Sequence, residues 1–333
     1  MVQPTLNTEV YPAIHPSNFT SQFHNKLVVV TGAGRGIGRH ISLAFAKAGA
    51  TLALLDFDTD RQSETKSLCE AAGAPKVYTF ACDVTKYDQC AKVVEEIGRV
   101  GEIDVLVNNA GGGPIRGFTS QKFEDFWAGV EQNFKGAMIM MHLVLPGMKE
   151  RKKGCIVNIA SRLSCSRILL IAELEQSRDR WQCIIILERQ HWLELRGVSK
   201  QNSMSWGLTT FISTLSTLVL AKPAFKVPSS RSFPCWWVEP LDKDVAEEFP
   251  SIAEGFEDFQ KTFCVSLDVP GQTCVYLASG KGKHALKGKY FDCEQDIQTV
   301  VDHAAEIQKE SLYELEVRFL GGLPNDGGTA KLQ

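Results

Sequence analysis

The chain has 333 residues, of which 44% are hydrophobic and 23% charged, and a formal net charge of −3. That apolar content excludes a disordered chain, and the length suits one extended α/β domain or two smaller ones. The slightly acidic balance argues against a nucleic-acid or anionic-membrane surface, and ten irregularly spaced cysteines without a Cys-x-x-Cys point to neither a metal site nor a disulfide framework.

Residues 1–25 read as an irregular N-terminal arm, without the basic-then-apolar order of a signal peptide. At 26–30 a run of apolar, β-branched residues predicts a strand buried on both faces. A glycine-rich stretch follows, then an amphipathic helix over 37–48 stopped by Gly49. Strand 51–55 ends in Asp56, and helix 58–72 ends at Gly73. The alternation continues with strand 76–81, helix 87–100, strand 104–107, a long helix over 121–148 and strand 154–159. Nearly all-apolar strands alternating with helices predict an α/β fold: a Rossmann-type, doubly wound parallel sheet with right-handed crossovers.

The rhythm stops after Ser161. Residues 163–240 are expected to be irregular, holding isolated apolar runs and the cluster Pro234-Cys235-Trp236-Trp237. The most lipophilic long window, 208–221, is too short and too rich in Ser and Thr to span a bilayer, so a soluble cytoplasmic protein is expected. Further on, the pattern predicts an acidic helix over 244–263, a helix over 271–279, a short strand at 289–291 and a helix over 296–309. The expected organisation is an arm (1–25), one domain (26–310) and a loose tail (311–333).

Thr31-Gly32-Ala33-Gly34-Arg35-Gly36-Ile37-Gly38 sits between a predicted strand and a predicted helix. Glycines there let a backbone approach a pyrophosphate, and the helix N-terminus offers unpaired N–H groups; a plain glycine turn is the alternative. An acid at the end of the next strand, Asp56, can bond the adenosine ribose hydroxyls and repel a 2′-phosphate, unless it is only an exposed strand-end Asp. Phe57 follows it rather than a basic residue, and Arg35 is the cation nearby, which favours NAD over NADP.

These residues resemble the short-chain dehydrogenase/reductase family. The Thr-Gly-x-x-x-Gly-x-Gly spacing is followed, in order, by Cys82-Asp83-Val84, Asn108-Asn109-Ala110-Gly111, Asn133 and Asn158-Ile159-Ala160-Ser161. The resemblance implies that Gly32, Arg35, Gly36, Ile37 and Gly38 hold the cofactor pyrophosphate and that Asp83 with Val84 contacts the adenine. It implies that Asn109, Ala110 and Gly111 let the backbone pass the cofactor. Asn133 would hold a water in a proton relay, and Ser161 would position the substrate oxygen. It further implies a small-molecule substrate, a secondary alcohol or ketone, and a homo-oligomer, with no nucleic-acid or membrane partner. The overall look is similar to fungal secondary-metabolism members.

The family's acid–base pair, a Tyr with a Lys four residues later, is missing. None of the six tyrosines lies between 88 and 275, and none has a Lys four places on. The Pro-Gly loop expected after the sixth strand is also missing, whereas residues 272–279 and 288–292 resemble the family again. A local loss between intact flanks reads as a shifted frame. With permitted codons chosen for 212–225, a reading two bases later can give Leu-Tyr-Ala-Leu-His-Pro-Gly-Val-Gly-Lys-Thr-Gly-Val, which resembles the missing strand and loop. The alternative is a nucleotide-binding or scaffold protein that has lost catalysis.

Overall fold

The computed structural model describes residues 5–112, 122–160 and 265–313, with the backbone of 210–215. Seven parallel strands form one sheet: β1 (Leu27–Thr31), β2 (Thr51–Asp56), β3 (Val77–Ala81), β4 (Ile103–Asn108), β5 (Cys155–Ala160), β6 (Thr210–Leu215) and β7 (Tyr290–Asp292). Their order is β3-β2-β1-β4-β5-β6-β7, a doubly wound α/β sheet. Every residue of β1 is buried. Val28 and Val30 join the core on one face, Leu27 and Val29 the core on the other, as the two-residue period of a strand requires.

The helices covering these faces are α1 (Gly36–Lys47), α2 (Thr59–Ala71), α3 (Tyr87–Gly98), α4 (Phe123–Val130) and α5 (Gly136–Glu150). Later come α6 (Asp268–Ala278), α7 (Lys283–Leu286), α8 (Ile297–Asp302) and α9 (Ala304–Lys309). Helix α6 is buried from Val269 to Leu277. It meets α1 backbone to backbone, since a Cβ added to Gly271 would lie 2.8 Å from the carbonyl oxygen of His40. The His40 ring also donates from Nδ1 to Asp268 Oδ1 at 2.8 Å, and that bond holds the Asp268 carboxyl below its usual range although burial opposes it.

Four expectations differ from what is observed. The single helix over 121–148 is α4, a π-helical turn at Glu131–Lys135, and α5, which continues through Pro146 to Glu150. The helix over 296–309 is interrupted at His303, whose ring bonds back to the Thr299 carbonyl at 2.7 Å. Within 163–240, expected to be irregular, Thr210–Leu215 forms β6, in register with β5 from Cys155↔Thr210 to Ala160↔Leu215. Its Thr-Phe-Ile-Ser-Thr-Leu sequence is rich in the β-branched and aromatic residues that strands favour. The rest of 163–240, the helix expected over 244–263 and most of the tail lie outside the described residues.

The fourth difference is the arm. Two short 3₁₀ turns, Pro12–Ile14 and Pro16–Phe19, each begin with a proline whose fixed φ suits a first helical position. They bury Tyr11, Ile14, Phe19 and Phe23 in the same core as α1 and α6. Phe23 packs edge-to-face on Phe45 with ring centroids 5.0 Å apart. The arm is also bonded to distant segments: Asn7 N–H to the Glu294 carbonyl (2.7 Å) and Ser266 N–H to the Thr8 carbonyl (2.8 Å). Among the described residues, no helix is long and apolar enough to cross a membrane.

The buried Tyr11 hydroxyl donates to the Gln295 carbonyl at 2.9 Å and accepts the Ile297 N–H at 3.3 Å. Tyr11→Phe leaves both backbone groups without this partner. The expected loss is about 1–2 kcal/mol in urea unfolding, with an unchanged m-value.

Candidate functional site

The strand order reverses at β1, where β2 leads to one sheet edge and β4 to the other. A crevice therefore opens at the carboxyl ends of these strands. The glycine-rich loop leaves β1 at this point, and Asn109 leaves β4. Thr31 Oγ1 accepts the backbone N–H of Asn109 at 2.9 Å and that of Ala110 at 3.0 Å. In return Asn109 Nδ2 donates to the carbonyls of Thr31 (3.0 Å) and Gly32 (3.1 Å). The two loops are thus laced together by four hydrogen bonds.

That closeness explains two glycines. Gly32 has φ +63°, and a Cβ there would sit 2.8 Å from Ala110 Cα. A Cβ on Gly38 would collide with the Gly32 carbonyl oxygen and lie 2.6 Å from Asn109 Nδ2. Helix α1 starts at Gly36, and Ile37 in its first turn is buried. Arg35 stands in the N-cap place and its side chain makes no capping bond, which suits a helix start whose first-turn amides can meet an anion.

Asp56 is 8% exposed, so it is not the solvent-exposed strand-end acid considered above. Its Oδ2 accepts the Gly34 N–H at 2.8 Å and its Oδ1 the Asp58 N–H at 3.1 Å. Helices α1 and α2 both grip the other side of the loop, because the Gly34 carbonyl accepts from Arg39 Nη2 of α1 (2.8 Å) and Thr65 Oγ1 of α2 (3.1 Å). Gln62, buried, donates to the carbonyls of Asp56 and Phe80 and so ties the ends of β2 and β3. Phe57 is 69% exposed beside this carboxylate.

Asp83 follows β3 and folds its own turn: Oδ1 accepts Thr85 N–H (2.9 Å) and Thr85 Oγ1–H (2.7 Å). Val84 is buried against the start of α5, where a Cβ on Gly136 would lie 2.6 Å from Val84 Cγ2. Asn133 projects from the π-helical turn, a local widening that often marks functional sites. Its Oδ1 accepts the Gly112 N–H at 2.9 Å, and Nδ2 donates to the carbonyls of Gly112 and Gly129, each at 2.8 Å. Both amide donors are therefore committed to backbone, and a water could be held only through the remaining acceptor capacity of Oδ1. Gly111 lies against the same amide, as a Cβ there would be 2.5 Å from Asn133 Oδ1.

The expected site residues fall along one line of contacts. Asp56 holds Gly34, the Gly32 carbonyl holds Asn109, and Asn133 holds Gly112, while Asp83 folds its own turn and Val84 packs on Gly136. Ser161 directly follows the last residue of β5 and lies outside the described residues. Sequence reasoning assigned no role to Thr31, although it leads the glycine motif, and none to Arg39, Gln62, Thr65 or Gly112. For Thr31 the signal was a hydroxyl at the strand's last position. For Gln62, a polar residue on a polar helix, there was none.

Comparison with known proteins places this geometry. A family model described as "short chain dehydrogenase" matches residues 26–170. Over that segment the chain resembles the short-chain dehydrogenase/reductase family. Epidermal retinol dehydrogenase 2 of Mus musculus is 34% identical over 137 residues, covering 41% of this chain and 44% of its own length. The 3-oxoacyl-[acyl-carrier-protein] reductase FabG of Thermotoga maritima is 37% identical over 142 residues, covering 42% and 57%. The chain thus spans about half the length of the curated relatives it matches. A 3-oxoacyl-[acyl-carrier protein] reductase from Brucella melitensis, solved with bound NAD, shares the fold with a TM-score of 0.57 and 19% identity. That likeness covers 87% of this chain and 97% of the reductase.

The Asn133 amide is the described contact between the π-helical turn and the loop after β4 of this dehydrogenase-like segment. Asn133→Ala removes all three of its bonds. Amide hydrogen exchange at Gly112 is expected to speed up by about tenfold or more.

Proposed function

We propose that the chain is an NAD(P)-dependent oxidoreductase that interconverts a secondary alcohol and a ketone, with NAD favoured. The observation that carries this reading is the glycine loop laced to Asn109 beside a buried, fixed Asp56 carboxylate. The cradle fits a dinucleotide, because backbone stands where Gly32 and Gly38 would otherwise carry Cβ atoms, and the N-cap residue of α1, Arg35, makes no side-chain capping bond. When bound, the dinucleotide supplies or accepts the hydride. Gly32, Arg35, Gly36, Ile37 and Gly38 hold its pyrophosphate. Asp56 binds the adenosine ribose, Asp83 and Val84 the adenine, and Asn109 to Gly111 flank the passage towards the nicotinamide.

Asp56 supports the preference for NAD. Two backbone amides fix its carboxylate, and a 2′-phosphate brought against it would meet like charge. Arg39 and Arg61 do not relieve this, being paired with Glu64 and Asp58 at 2.7 and 2.9 Å. On the substrate side, Ser161 orients the oxygen whose charge changes as the reaction proceeds, and Asn133 fixes the loop after β4 through its bonds to Gly112. A small-molecule substrate, a homo-oligomeric assembly and a place in secondary metabolism belong to the same proposal, resting on the family resemblance.

The proton is a separate matter. A group able to exchange it near neutral pH contributes typically 10²–10⁴-fold, and a serine hydroxyl of ordinary acidity does not replace a tuned tyrosine. With no Tyr-x-x-x-Lys, the chain as written binds its cofactor but turns over feebly, and a frame restored across 163–240 recovers turnover. The missing pair also favours the second reading, a nucleotide-binding protein without catalysis.

Fluorescence titration with NADH tests the binding half. Gly36 has φ +51°, and Gly36→Val is expected to abolish binding, while Asp56→Ala should narrow an NADH-over-NADPH preference of roughly ten- to hundredfold. Equal NADH affinity for wild type and Gly36→Val sinks the cofactor assignment. Tighter binding of NADPH than NADH by wild type sinks the preference. Turnover is tested by assaying the chain against secondary alcohols and ketones beside a frame-restored version. Restored activity at least a hundredfold higher is expected. Equal turnover would mean that a residue in 163–240 as written supplies the proton, and inactivity of both with intact NADH binding would favour the non-catalytic reading.

A further inference from the structure

The segment between α6 and β7 is unlike the rest of a chain whose net charge is −3. Residues 281–289 read Lys-Gly-Lys-His-Ala-Leu-Lys-Gly-Lys, a basic run interrupted by no carboxylate. It folds as two turns around α7, with Gly280 and Gly288 in the left-handed region at φ +83° and +69°. Lys281 is accounted for, since its ammonium lies 4.5 Å from the centroid of the Phe19 ring and 3.4 Å from the Asn18 carbonyl.

The other basic residues border an open depression of about 570 Å³ lined by Lys283, His284, Lys287, Lys289, Gln308 and the backbone around Gly280. Lys289 is 7% exposed, and its Nζ donates to the Leu312 carbonyl at 3.1 Å, so one wall carries a fixed, largely buried ammonium. Gln308 is anchored by a 3.1 Å bond from Nε2 to the His284 carbonyl. Lys283 and Lys287 stand one turn apart, the Lys287 N–H bonding the Lys283 carbonyl at 3.3 Å. Like charges at that spacing repel. Among the described residues, Lys283, His284 and Lys287 have no carboxylate within 4.0 Å. Lys283 and Lys287 converge on one hollow beside His284 and Lys289, and an anion seated there would relieve the repulsion of the Lys283–Lys287 pair.

We propose that this depression is a binding site for a phosphate-bearing small molecule, a diphosphate or phosphate ester, separate from the dinucleotide crevice. The separation follows from topology. The glycine loop lies at the carboxyl ends of the parallel strands, whereas residues 283–289 lead into the amino end of β7. Lys283 is also close enough to Cys155, the first residue of β5, to lower its thiol against the burial that pushes it up to about 12. The depression is larger than orthophosphate needs, and open enough to admit the organic part of a phosphate ester.

Inorganic pyrophosphate is the probe, added to the full-length chain during thermal unfolding. It is expected to raise Tm in wild type and in Gly36→Val, whose glycine loop is blocked, and to have no effect on Lys283→Glu/Lys287→Glu. A shift retained in the double variant, a shift lost in Gly36→Val, or an equal shift from sodium chloride of matched ionic strength overturns the proposal. Should the double variant fail to fold, acetylation of wild-type lysines followed by mass spectrometry decides. Pyrophosphate at ten times its Kd is expected to slow labelling of Lys283 and Lys287 roughly tenfold while leaving Lys66 unaffected. Unchanged rates at both lysines would refute the site.

Discussion

Everything at the crevice depends on how closely β1 and β4 are joined at their carboxyl ends. Parallel neighbours run about 4.8 Å apart, but the loops that leave them are free to diverge unless something bonds them. Here one hydroxyl and one amide do it. Thr31 Oγ1 collects two backbone N–H groups from the β4 side, and Asn109 returns two bonds to the β1 side. Once that lacing is in place, no room remains for side chains at Gly32 or Gly38, and the start of α1 is fixed. The glycines are thus a consequence of the closeness, and the same closeness leaves backbone, rather than side chains, lining the path of any dinucleotide.

A second constraint acts from the β2 side. Asp56 is buried by the loop that it holds, its two oxygens spent partly on Gly34 and Asp58 amides. Such a carboxylate is held in place by two backbone amides and cannot swing away from an approaching phosphate. Gln62 performs a similar service between β2 and β3 by donating to the Phe80 carbonyl and, beside the Cys82 N–H, to the Asp56 carbonyl. These polar contacts are local, each within reach of one loop, and together they make the binding half of the crevice rigid before any ligand arrives.

Strands and crossovers were legible because their residues obey short periods. Val28, Val29 and Val30 can only be a doubly buried strand, and Gly49 and Gly73 stop helices where the chain must turn back. Asp56, Asn109 and Asn133 were legible as a set because their order and spacing repeat a known pattern. What was hidden depended on contacts far apart in sequence. Nothing in residues 1–25 has a helical or strand period, yet Ile14 and Phe19 are fully buried, since irregular turns can place apolar groups in a core as well as helices can. The π-helical turn at Asn133 was equally invisible, because one extra residue in a helix changes no composition. β6 was missed for the opposite reason: Thr210–Leu215 has strand character, but the motifs expected around it were absent.

The division of labour along the chain has a further consequence. The residues proposed to grip a dinucleotide all lie before position 134, while Ser161, proposed to orient the substrate, and the stretch that would supply the proton come after it. Binding and proton transfer draw on different physics: the first on backbone closeness and fixed charge, the second on a side chain tuned to titrate near neutrality. A change confined to 163–240 can therefore remove the second and leave the first, because no bond described in the Thr31–Asn109 lacing or the Asp56–Gly34 contact reaches that stretch. The sheet is indifferent in the same way. A strand in the β6 slot needs only backbone pairing with β5 and β7, so residues of quite different identity can complete the fold without completing the chemistry.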